Sequence, residues 1–270
     1  MRTLLSERYA PITSQIGFVR AGKPETVDAL VRWRRELGDD VAPTREVGDF
    51  PEALLSLPPL VSPILWRELL VATTGPWTAY FNCAVDGTDA ASAIAVLSER
   101  LGCQGLVVTC QPHLPARDRM GAVMFTLEDP SVDGSVGPRR SIAAIYDGDR
   151  WRFDTDGEPL PFEERDRYAA RRLRDRFTSD MLERYCRALG VDAFNGRFYR
   201  GPAVLVSHTP PTETRAQHLA RFPIPAGAKG VAPARDPDEL LVPRDLVARS
   251  LAEAQQFLGI VPGEADDLPG

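Results

Sequence analysis

Residues 66–83 read Trp66-Arg67-Glu68-Leu69-Leu70-Val71-Ala72-Thr73-Thr74-Gly75-Pro76-Trp77-Thr78-Ala79-Tyr80-Phe81-Asn82-Cys83. Leu, Val, Thr and aromatic residues fill both halves, and Thr74-Gly75-Pro76 is turn chemistry. The stretch therefore predicts a hairpin with strands over 66–73 and 77–83. Asp86-Gly87-Thr88-Asp89 then supplies a loop and a helix cap. Ala91, Ile94, Leu97 and Leu101 recur at helical spacing, Gly102 ends the helix, and Leu106-Val107-Val108-Thr109 returns as a strand. Upstream the plan is similar. Ile16-Gly17-Phe18-Val19 is a strand, and Pro24 opens a helix striped by Val27, Leu30, Val31 and Leu37. Gly38 stops that helix, and Val41–Val47 forms the returning strand. Ala29, Leu37 and Gly38 align with Ala93, Leu101 and Gly102, each pair 64 positions apart, which hints at a duplication of residues 15–48 and 66–111.

Downstream, Ala122–Leu127 and Ser141–Tyr146 predict half-buried strands, and Asp147-Gly148-Asp149 turns the chain into Arg150-Trp151-Arg152-Phe153. Residues 162–190 predict a helical pair divided at Thr178-Ser179-Asp180, where Asp180 and Glu183 fit a capping box. Ala203–Ser207 reads as a last strand. The expected fold is α+β: two strand-helix-strand units continued by an antiparallel sheet and a helical pair, over residues 1–207. Residues 208–270 predict a proline-rich arm, with seven prolines between Thr209 and Pro243. One terminal helix over about 243–258, striped by Val247, Leu251, Ala254 and Leu258, and an acidic tail complete it.

The 270 residues are 43% hydrophobic and 26% charged, enough apolar chain to bury a core without disulfide or metal staples. Net charge is −6, and residues 231–270 hold eight acids against three arginines, so the rest is nearly neutral. A basic nucleic-acid surface is thereby excluded, and no apolar run is long enough for a membrane span. Only Lys23 and Lys229 are lysines among 32 basic residues, a compositional skew rather than a motif. The opening residues carry no secretory pattern, and Cys83, Cys103, Cys110 and Cys186 form no C-x-x-C pair, which predicts reduced thiols in a cytoplasmic protein. Cys83, Cys103, Cys110 and His113 make an incomplete zinc set, so neither a metal nor a cofactor is expected. No G-x-S-x-G, H-E-x-x-H, P-loop or G-x-G-x-x-G occurs. The pairs Asp147/Asp149 and Asp154/Asp156 flank turn glycines, and turn chemistry accounts for them. No catalytic set is assigned.

Gly75-Pro76-Trp77-Thr78-Ala79-Tyr80-Phe81-Asn82 resembles a G-W-T-A-Y-F-x-N block of uncharacterised bacterial proteins. Tyr146-Asp147-Gly148-Asp149-Arg150-Trp151 and Gly157-Glu158-Pro159-Leu160-Pro161-Phe162 are similar to segments that accompany it. The layout resembles immunity-type proteins that neutralise bacterial toxins, and the resemblance implies a protein-binding role. Trp77, Tyr80, Asp147, Asp149 and Trp151 are the candidate partner-binding residues, because aromatics near hairpin tips make large contacts at small entropy cost. Asp147 and Asp149 would then form a charged rim against a basic partner. The opposing readings are that both indoles are core residues, that the chain is an enzyme with an unrecognised carboxylate or thiol site, or that it is a structural assembly subunit.

Overall fold

A computed structural model describes residues 3–5, 7–61, 66–85, 90–131, 137–212, 214, 216, 217, 220 and 247–262. The hairpin read first is there: β4 (Arg67–Thr73) pairs antiparallel with β5 (Thr78–Asn82). It sits near the middle of a ten-stranded sheet. The other strands are β1 (Gln15–Val19), β2 (Asp40–Val41), β3 (Arg45–Asp49), β6 (Gly105–Gln111), β7 (Ala122–Glu128), β8 (Arg140–Tyr146), β9 (Trp151–Gly157) and β10 (Tyr199–Thr209). From one edge the order is β9-β8-β7-β6-β1-β5-β4-β10, and β2 and β3 both pair with the outer side of β10. With α1 (Lys23–Glu36) and α2 (Ala90–Leu101), the segment order β1-α1-β4-β5-α2-β6 and the spatial order β4-β5-β1-β6 make a split β-α-β arrangement. The class is α+β.

Both helices lie on one face of the sheet, where Leu30, Ile94 and Leu97 meet Val19, Leu70, Val107 and Val206. A Cβ at Gly17 or Gly105 would come within 2.5 or 2.6 Å of Ile94, so these two glycines let α2 settle close to the strands. The opposite face carries the larger core, with Phe18, Leu69, Phe81, Val108 and Phe125 beneath Leu54, Leu57, Phe177 and Tyr185. Strands covered on both faces read as unbroken apolar runs, and β5 is buried at every position. β7 and β8, toward the edge away from α1, alternate between buried and half-buried instead.

Three expectations need correction. The return strand of the first unit breaks into β2 and β3 and pairs with β10 at the sheet edge, not with β1. The first member of the expected helical pair is a meander with short 3-10 turns at Arg165–Ala169 and Leu173–Asp175, because residues 165–176 offer too few apolar side chains for a helical stripe. The second is α3 (Ser179–Ala188), capped by Thr178 Oγ1, which accepts from Met181 N, rather than by Asp180. The terminal helix, α4 (Leu251–Phe257), starts after Ser250, whose Oγ accepts from Glu253 N. Val247 lies before it and is exposed. α4 docks on the body, where Ala254 is buried and Gln255 Nε2 donates to Arg8 O and Ala10 O, both at 2.9 Å. The expected cap at Asp86–Asp89, most of the proline-rich arm, the start of the helix at 243 and the end of the acidic tail lie outside the described residues.

A buried charge cluster fastens the β10 side of the sheet. Glu68 on β4 has no solvent exposure, and its carboxylate accepts from Arg34 Nε at 2.8 Å and Arg34 Nη2 at 2.6 Å. Tyr80 Oη donates to the same carboxylate at 2.6 Å. His208 on β10 lies between two acids, with Nε2 3.1 Å from Glu68 Oε2 and Nδ1 2.8 Å from Asp39 Oδ2. Burial opposes ionisation of Glu68, but Arg34 and His208 outweigh it and hold the carboxyl well below its ordinary value. Burial likewise works against a charged His208, yet Asp39 and Glu68 raise its basicity overall.

Removing one partner from such a cluster leaves an uncompensated buried charge, so Glu68→Gln is expected to cost about 3–5 kcal/mol in urea unfolding. Because the folded pKa of His208 is raised, its contribution is complete below the unfolded value of about 6.5 and is lost as pH rises through the folded one. Stability should therefore fall as pH rises above about 6.5, and His208→Gln should flatten that part of the profile. An unchanged slope in the variant would contradict the pairing.

Candidate functional site

Chemistry in this chain concentrates in two places, and one of them is sealed. The side chains of Glu68 and His208 have no exposure and those of Asp39 and Arg34 little, so a substrate has no approach to the cluster in the folded state. The thiols are a poor nucleophile set. No disulfide joins the four cysteines, and burial pushes Cys83 up to about 11 and raises Cys186 and Cys103 as well, which keeps these three protonated near neutrality. Among the described residues no group of three or more His, Cys, Asp or Glu side chains is placed to hold a metal ion.

The other place is the exposed tip of the β8–β9 hairpin. The strands pair from Arg140↔Gly157 to Tyr146↔Trp151, leaving Asp147-Gly148-Asp149-Arg150 as the turn. Asp147 Oδ1 accepts from Asp149 N at 3.1 Å and Arg150 N at 2.9 Å, and its Oδ2 takes the Arg152 guanidinium. Those backbone N–H groups, with Arg152 next, hold the Asp147 carboxyl far below its usual range. Tyr146 Oη donates to Asp149 O at 3.0 Å, closing the turn from the other side. The tip is thus fixed by its own local hydrogen bonds.

Tyr146 and Trp151 face each other at the last register pair, and the loop after β6 brings His113 against both. Ring centroids are 4.3 Å apart for His113–Tyr146, 5.4 Å for His113–Trp151 and 6.0 Å for Tyr146–Trp151. Gly121 makes the approach possible, since a Cβ there would stand 2.6 Å from His113 Cβ and 2.8 Å from Trp151 Cη2. Gly121 N donates to His113 Nδ1 at 3.4 Å, and partial burial with Arg174 nearby lowers the basicity of the ring. Met120 beside it is 49% exposed and reaches toward Gly148. Beyond the loop, Gly259 at the end of α4 packs on Arg117, with exposed Phe257 and Val261 two residues to either side. Of the five large apolar side chains exposed among the described residues, Met120, Phe257 and Val261 thus belong to this loop or to the chain end that abuts it.

The five residues singled out from sequence are divided by the fold. Asp147, Asp149 and Trp151 share the tip. Trp77 is 2% exposed and donates through Nε1 to Leu189 O, while Tyr80 is fully buried and committed to Glu68, so neither can meet a partner. Both sit at a strand whose two faces are covered, which hairpin reasoning could not see. Asp147 is consumed inside the turn and is no free rim charge. Sequence reasoning missed Met120, Tyr146 and His113 as members of the site. The only local signal was Gly121, a small residue just ahead of a strand. Asp154 accepts from Thr155 N and, with Asp156, lies on the other side of β9.

Trp77→Ala should cost about 3–5 kcal/mol as a core truncation. Trp151→Ala, half-buried at a hairpin end, should cost about 1 kcal/mol. Calorimetric melting of the two variants checks the division, and an equally large loss in both would erase it.

Compared with known proteins, the chain matches no family model, and no curated protein or solved structure matches it either.

Proposed function

We propose that the chain is a protein-binding module whose contact surface is the β8–β9 tip. The observation that carries this reading is the pairing of a pre-fixed turn with exposed Met120 and half-buried Tyr146 and Trp151. Rigid aromatic anchors in a shallow, polar-rimmed surface are the usual makings of a binding hot spot. The specific form is an immunity-type protein that occludes a bacterial toxin. It is supported by the resemblance of residues 75–82, 146–151 and 157–162, of which the first block forms the turn and second strand of the central hairpin and the second contains the tip. No helix among the described residues is long and apolar enough to cross a membrane; a cytoplasmic setting is part of the proposal.

Immobilised wild-type chain, Met120→Ala/Trp151→Ala and a control altered elsewhere on the surface, Leu55→Ala, are exposed to lysate of the source cells. The module reading expects a protein retained by wild type and by the control but not by the tip variant. If that protein is toxic when expressed alone and harmless when co-expressed, the immunity form stands. Retention of the same proteins by all three baits would place the contact somewhere other than the tip.

A further inference from the structure

The chemistry of the partner can be read from the chain that follows β9. Residues 163–178 run along the same side of β9 that Trp151 and Phe153 occupy. The run begins where Glu163 forms a bidentate pair with buried Arg140 at the far end of β8. It continues where the Tyr168 ring lies 5.2 Å from Phe153, and where Arg176 Cζ lies 5.7 Å from that ring. The turn Leu173–Asp175 packs on β8 and β9, beside the His113 end of the hairpin. This meander carries Arg165, Arg167, Arg171 and Arg172, all exposed and none in an ion pair among the described residues, against one exposed acid, Asp166, whereas Glu163 and Glu164 are taken by Arg140 and Arg184. Arg174 reaches only its neighbour Asp175, at 3.7 Å. The acids of β9, Asp154 and Asp156, project from the opposite side of the strand. The meander side of this sheet edge is therefore apolar and arginine-rich, while the other side carries Asp154 and Asp156 beside an Arg152 already paired with Asp147.

We infer that the tip surface takes an acidic polypeptide segment, its apolar side chains seated on Met120, Tyr146 and Trp151 and its carboxylates on Arg171, Arg172 and Arg174. This rests on the protein-binding reading and replaces the basic partner expected from Asp147 and Asp149. Four exposed guanidinium groups across 165–172, with Arg174 held only at 3.7 Å by Asp175, can offer planar, bidentate donors to carboxylates while the aromatic side chains exclude water from the contact. Strand addition to β9 is disfavoured, because the Asp154 side chain already takes Thr155 N on that strand.

The test uses the isotope-labelled full chain at low salt with two synthetic probes, a fifteen-residue peptide rich in Glu and Asp that carries two leucines and its lysine counterpart. The acidic peptide should bind at least tenfold more tightly and shift the Trp151 indole resonance while leaving those of Trp66 and Trp77 in place. Arg171→Glu/Arg172→Glu and Met120→Ala/Trp151→Ala should each weaken it about tenfold, and added salt should weaken it further. Equal affinity for the two peptides would overturn the charge assignment and leave the tip as a contact surface. Loss on arginine reversal but not on the tip substitutions, with inorganic polyphosphate binding as well as the peptide, would overturn both, since the meander would then be a polyanion ridge independent of the tip.

Discussion

Glu68 is a carboxylate without access to water, and the β10 side of the molecule is built to answer its charge. Its partners come from α1, β5 and β10, three segments that no local rule would bring together. An ionised group in that position is tolerable only when opposite charge and donors are held at fixed distances, so the cluster restricts how β4, β5 and β10 can align. Apolar packing alone is permissive in this respect. Leu69 and Leu70 could exchange faces after a one-residue slip, but Glu68 would then turn away from Arg34 toward the larger core. The constraint thereby makes a stiff scaffold, on whose opposite edge the β8–β9 hairpin is carried.

That edge obeys different rules. β7 and β8 have one face covered, and β9 has little beneath it except the 163–178 meander. The tip is ordered by local bonds instead: Asp147 to two backbone N–H groups and Arg152, and Tyr146 to Asp149 O. Changes at the tip should therefore cost little stability. The excess of unpaired arginine on the meander side of β9 follows from the course of the meander, not from net charge, which for the whole chain is negative.

Elements set by near neighbours were legible. The 66–83 hairpin, the helices stopped by Gly38 and Gly102, and the strands β7 and β8 emerged from spacing and turn residues alone. The partners of Glu68 were not, because they lie 34, 12 and 140 positions away and only the sheet order unites them. The helix expected at 162–177 failed for a traceable reason: its apolar residues serve Phe153 and the core one at a time, without the recurring stripe that holds a helix to a surface. Trp77 and Tyr80 were misplaced because an aromatic residue near a turn looks the same from sequence whether its strand is covered on one face or two. Half of the tip was legible from the Asp-Gly-Asp turn and Trp151, while His113 and Met120 reach it through a loop whose return depends on Gly121.

A double-mutant cycle on Arg34→Met and Glu68→Met, read by urea unfolding at neutral pH, tests the claim that charge compensation at Glu68 organises this side of the fold. Each single substitution strands a buried charge, whereas the double substitution removes both members of the closest pair. The account predicts large single losses and a double variant more stable than their sum by about 2 kcal/mol or more. Additivity within about 0.5 kcal/mol would contradict it, and would mean that the two side chains contribute only packing.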